Sequence, residues 1–90
     1  MVWYKTQSTE MKLREKVILI SFLGTQTPNK PINTNENYWN LIGQKGEVIE
    51  TRKERVLVHF DCEIDFYQLE NHNPVKNSLW ILITDLGKIS

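Results

Sequence analysis

What most limits the folds open to this chain is a cadence of short apolar runs. From Tyr38 to Leu86 it reads Tyr38-Trp39, Gly43-Gln-Lys-Gly46-Glu-Val48, Val56-Leu-Val58-His-Phe60-Asp61, His72-Asn73-Pro74 and Leu79-Trp80-Ile-Leu-Ile-Thr-Asp85-Leu86. Glycine, charge and asparagine break each run before it reaches helical length, which is how a small β-barrel is written. The reading is all-β, with little helix.

Five strands follow from the pattern. Lys16 to Phe22 is dense in β-branched and apolar residues and ends before Gly24, so it reads as the first strand. Gly46 to Thr51 is the second and Arg55 to Phe60 the third, joined by Arg52-Lys53-Glu54. That turn has no glycine, so the mirror-image two-residue turns are disfavoured and a longer type I connection is expected. In the third strand Val56, Val58 and Phe60 share one face, while Leu57 and His59 take the other. Leu79 to Ile83 is the fourth strand, Thr84-Asp85-Leu86 a single helical turn, and Gly87 to Ile89 the last strand.

Long connections separate them. Thr25 to Asn37 holds Pro28, Pro31 and many asparagines and threonines, so it is expected to carry no regular element. Asp61 to Pro74 is acidic at first and then aromatic, with Phe66, Tyr67 and Leu69 expected to fold back onto the barrel. Residues 1–15 lack any sustained period and read as a flexible or loosely docked arm, leaving residues 16–90 as one domain.

Composition narrows the function classes. Ninety residues suit a single domain with one modest core. One cysteine, Cys62, excludes an internal disulfide and implies a reducing compartment, so the expected location is the cytoplasm. The longest apolar runs are far below the roughly 18 residues needed to cross a bilayer, and no export signal is legible at the start. Eleven basic and eleven acidic side chains cancel, which handicaps nonspecific binding to phosphates.

The order of these parts resembles an SH3-like barrel over roughly residues 16 to 89: a long loop after strand one, a charged hairpin, then strand, short turn and final strand. Glu36-Asn-Tyr-Trp39, Gly46-Glu-Val48 and Val56-Leu-Val-His-Phe60-Asp61 are similar in order and place to the small ferredoxin-docking subunit of photosystem I. Leu69-Glu-Asn-His72-Asn73, Asn77-Ser-Leu-Trp80-Ile-Leu and Asp85-Leu86 resemble a set of small bacterial SH3-like proteins of unassigned function. The resemblance implies a five-stranded barrel with one short helical turn near the C-terminus. It implies the fold alone, because the photosystem subunit presents a basic docking surface and this chain is neutral with an acidic 61–65 loop.

Chemistry is sparse. His59, Cys62 and His72 are the only thiol and imidazoles, and their spacing fits no standard zinc pattern. Asp61, Glu63 and Asp65 alternate as a calcium loop begins, but the glycine and glutamate such a loop needs are replaced by Phe66 and His72. A solvated acidic loop is the expectation, and no metal or other cofactor is implied. No base or oxyanion donor can be matched to Cys62, so the chain reads as non-enzymatic. Lys45, Arg52, Lys53 and Arg55 lie near aromatic residues that could stack bases, yet Glu47, Glu50 and Glu54 interleave with them. Cross-strand ion pairs are the expected use of these charges.

One surplus remains. Leu79, Ile81 and Ile83 occupy one face of the fourth strand while Trp80 and Leu82 occupy the other, so both faces are apolar. Either the long loops cover the second face, the favoured expectation, or Leu57, Trp80 and Leu82 form a contact patch. His72-Asn73-Pro74 is expected to set a turn, with a ligand role as the lesser reading. The sequence therefore points to a protein-binding module whose candidate residues are Tyr38, Trp39, Leu57, His59, Tyr67, His72, Asn73 and Trp80. Single-stranded nucleic acid and a homodimer partner are the alternatives.

Overall fold

The computed structural model describes residues 11–71 and 73–89. Five strands, β1 Lys16–Leu19, β2 Lys45–Thr51, β3 Arg55–Phe60, β4 Ser78–Leu82 and β5 Leu86–Lys88, form one antiparallel sheet. Their spatial order is β4-β3-β2-β1-β5. Short 3₁₀ turns at Thr34–Glu36, Tyr38–Leu41, Ile64–Tyr67 and Ile83–Asp85 fill the connections. Among the described residues no helix is long and apolar enough to cross a membrane.

The alternation in β3 works as the sequence implies. Val56, Val58 and Phe60 are buried with Val17, Leu19, Val48 and Ile81, each removed from water almost completely. A fully buried side chain of this size contributes about 1.5–3 kcal/mol. Gly46, opposite Phe60, fits because it has no side chain: a Cβ there would meet the His59 carbonyl oxygen at 2.6 Å.

Curvature follows from connectivity. β4 and β5 lie at opposite edges, which in a flat sheet would be about 19 Å apart at four strand spacings. Four residue steps from Leu82 to Leu86 reach at most about 14 Å. The sheet must curl to bring its two edges toward one corner. A register shift on β2 between Val48 and Glu50 leaves Ile49 unmatched, and a bulge of this kind bends a strand and increases its twist. β4 and β5 are nevertheless not paired, so the sheet is not closed.

Several boundaries differ from expectation for local reasons. β1 stops at Leu19 because the Ile20 amide turns to the Asp85 carbonyl and the chain enters a small hairpin, with Phe22 pairing Thr25. The charged connection closes tightly, the Arg52 amide donating to the Arg55 carbonyl at 2.8 Å, so it is shorter than expected. It still avoids positive φ, as a turn without glycine should. The loop expected to be irregular carries the Thr34–Glu36 turn, and the turn over Tyr38–Leu41 follows it. Of the expected arm, residues 1–10 lie outside the described residues. Met11 is buried in the core, and Arg14 and Glu15 extend the pairing of β1 by exchanging backbone hydrogen bonds with Val48.

Candidate binding site at the β4 edge

Trp80 is half-buried on the outer face of β4, directly across from Leu57 in β3. Leu57 is only 4% exposed, so it supports the indole and does not itself offer a contact surface. The Arg52 guanidinium lies over the Trp80 ring, 4.6 Å from its centroid. Such a contact is worth about 0.5–1 kcal/mol at an exposed site. Arg52 also meets the exposed Glu50 carboxylate at 3.7 Å. The covering group comes from the short charged turn, where the expectation had favoured a long-loop aromatic.

Beside Trp80 opens a cleft of about 280 Å³ lined by Phe22, Tyr38, Asn73, Leu79 and Trp80. The hairpin that carries Phe22, its far wall, is held by Asp85. This carboxylate is 1% exposed and accepts hydrogen bonds from Ser21 Oγ at 2.6 Å, the Leu23 amide at 2.9 Å and the Gly24 amide at 3.0 Å. Leu23 and Gly24 both have positive φ, the geometry of a mirror-image hairpin turn. Phe22, at the base of that turn, packs against Tyr38 at 5.5 Å and edge-on against Trp39 at 4.9 Å. Trp39 is tied back to the same hairpin through its indole N–H to Thr25 Oγ1 at 3.0 Å.

The Tyr38 hydroxyl donates to the Glu70 carbonyl oxygen at 2.8 Å. Burial, with the nearby Glu70 and Glu36 charges, pushes its phenol above the ordinary tyrosine value. It is neutral at physiological pH and holds the two long loops together.

The near wall depends on asparagine. Asn73 Nδ2 donates to the Ser78 carbonyl at 2.7 Å, and its Oδ1 accepts from the Val75 amide at 3.1 Å. Asn71 Nδ2 donates to the carbonyls of Asn73 and Val75, while its Oδ1 accepts from the Asn77 amide. Asn77 takes positive φ and accepts from the Ile64 amide at 3.0 Å. These bonds give Asn73 the turn-setting role expected of it. His72 lies outside the described residues.

Hydrogen bonding also leaves part of β4 open. The Phe60 amide donates to the Asn77 carbonyl and the Ile83 amide to the Glu54 carbonyl. In an antiparallel ladder such pairs alternate, so Leu79 and Ile81 face β3 while the Trp80 amide and carbonyl face away. No backbone partner for either Trp80 group is found among the described residues. Ser78, by contrast, has its outward carbonyl capped by Asn73.

The remaining expected site residues divide. His59 is exposed on the same sheet face as Leu57 and opposite Ser78. Tyr67 lines a separate depression with Cys62, Asp65 and Phe66, and its hydroxyl accepts from Gln44 Nε2 at 3.0 Å. Leu69 and Tyr67 fold back on the core, but Phe66 stands 82% exposed. The Cys62 thiol is pushed up mainly by burial, with the Asp61 charge acting in the same direction and a backbone hydrogen bond opposing them. Among the described residues no three His, Cys, Asp or Glu side chains are grouped to hold a metal ion.

Phe22 and Asp85 were not among the residues singled out from the sequence for binding, and Arg52 was named only within the basic cluster weighed for nucleic acid. Phe22 read as strand interior and Asp85 as an ordinary turn acid; nothing local signals their meeting across 62 to 64 positions of chain. Comparison of the chain with protein-family models, curated proteins and solved structures finds no match.

Proposed function

We propose that this chain is a small non-enzymatic binding module of the SH3-like barrel type, and that it recognises another protein through the cleft beside Trp80. The sheet order β4-β3-β2-β1-β5 and the 3₁₀ link from β4 to β5 support the barrel reading. The observation that carries the binding reading is a half-exposed tryptophan on an unpaired edge, facing an aromatic-walled cleft. Clefts of mainly apolar lining with a few polar groups are where recognition concentrates. Tryptophan, tyrosine and arginine are also the side chains that most often dominate binding energy.

The test is site-specific cross-linking. A photoreactive phenylalanine analogue placed at Tyr38 should capture a discrete protein in cells, and Trp80→Ala should abolish the adduct. A probe at exposed Leu13 should capture nothing comparable. Equal capture from both positions, or capture unaffected by Trp80→Ala, would remove the reading.

Single-stranded nucleic acid is the second reading, favoured by one observation: Arg52, Lys53 and Arg55 rim a depression that includes the Trp80 ring. Glu54 shares that rim and Glu50 engages Arg52, which weakens the field a phosphate would meet. Oligothymidylate binding that falls steeply with salt would favour it over the protein reading.

A further inference from the structure

We infer that β4 accepts an extended peptide as a sixth, antiparallel strand, in keeping with every other pairing of the sheet, and that the peptide alternates apolar with acidic side chains; the inference rests on the binding-module reading and specifies its partner. Three observations converge on Trp80. Its amide and carbonyl point away from β3 with no backbone partner, so they can pair with an extended main chain. Edge strands of soluble proteins are usually blunted by charge, proline or a bulge. β4 reads Ser-Leu-Trp-Ile-Leu, with neither charge nor proline, and its pairing with β3 is regular.

The side-chain chemistry of the occupant follows from the two sides of the new strand. A residue paired with Trp80 places its side chain on the outer face, beside the indole and Arg52. Lys53 and Arg55 rim the same depression, so three cations stand against two carboxylates, Glu54 and the Glu50 that engages Arg52; the balance is positive, and an acidic side chain is the complement there. The residues before and after it point to the other side, toward Leu79 and the cleft bounded by Phe22 and Tyr38. That space takes an apolar side chain. Asn73 already caps Ser78, which limits the accepting stretch to the neighbourhood of Trp80.

The probe is a capped nonapeptide alternating valine and glutamate, titrated into the full chain at low salt and followed by amide shifts and tryptophan fluorescence. Binding is expected, with the largest backbone shifts at Trp80 and Leu82. Replacing glutamate by lysine should weaken it at least about tenfold, as like charges meet across the site. N-methylation of the glutamates, which pair with Trp80, should weaken it by a similar factor, about tenfold or more. N-methylation of the valines, whose amides face outward, should change affinity by less than about threefold. Exposed Arg52 and Arg55 permit a variant that tests charge without touching the core: Arg52→Glu with Arg55→Glu should reverse the preference toward the lysine peptide.

Absence of binding, equal binding of the glutamate and lysine peptides, or undiminished binding of the glutamate-methylated peptide would each overturn strand addition. Competitive displacement of the peptide by oligothymidylate at equal concentration would instead assign the surface to nucleic acid. If Trp80-dependent cross-linking succeeds while no peptide binds, strand addition fails and the module reading stands. If both fail, both are wrong.

Discussion

Asp85 is the residue on which the candidate site depends most. Its carboxylate joins the 3₁₀ turn after β4 to the hairpin that carries Phe22, through one hydroxyl and two amide donors. Hydrogen bonds to a charged acceptor contribute more than neutral ones, about 1.5–3 kcal/mol where a neutral bond contributes about 1. Asp85→Ala should lower unfolding free energy by about 2–3 kcal/mol in urea titration, with Asp85→Asn losing less because it keeps one acceptor oxygen. Cys62 gives a second residue-level test. Burial and Asp61 raise the thiol pKa, so less thiolate exists at neutral pH and disulfide reagents should react more slowly than with a free cysteine. The reaction rate should rise with pH to a midpoint above the ordinary thiol value. A rate equal to that of a small free thiol at pH 7 would contradict the partly buried placement. Neither the burial of Asp85 nor the partial burial of Cys62 could be placed from sequence, since they arise from contacts distant in the chain or from loop folding.

Among the elements, the Phe22–Thr25 hairpin stores a local conflict. A mirror-image turn favours asparagine followed by glycine, yet Leu23 sits at φ 53 and is 52% exposed. Asp85 holds the turn despite that preference. Leu23→Asn should raise stability by about 0.5–1 kcal/mol, read as a higher urea midpoint at unchanged slope. The element most legible in sequence is β3, where alternation from Val56 to Phe60 fixes both bounds and the inward face. β4 was legible to within one residue, and its double apolar character places Trp80 on the outer face. The first hairpin was not legible, because Lys16 to Phe22 is continuously apolar enough to read as one strand. Only Asp85, arriving from the far end of the chain, ends β1 at Leu19.

For the whole molecule, connectivity determines shape more than charge does. The short link from Leu82 to Leu86 compels the curl, and the β2 bulge accommodates it. The exposed ion pairs, such as Lys16 with Glu47 at 3.6 Å across β1 and β2, contribute about 0–1 kcal/mol each. The cross-strand partner of Glu47 is thus Lys16 and not a member of the 45–55 basic cluster, and Arg52 meets Glu50, two residues before it, along the same stretch of chain. Curling brings the two edges toward each other without pairing them, and that leaves β4 with an outward-facing Trp80 backbone next to the cleft. The sequence indicated a surplus apolar face, but it could not show an unpaired edge, which exists only once five strands are ordered in space. Amide hydrogen exchange in the free protein measures that edge residue by residue. Leu79 and Ile81 should be protected by their bonds to β3 while the Trp80 amide between them exchanges rapidly; protection of Trp80 equal to that of its neighbours would show the edge is occupied and contradict the account.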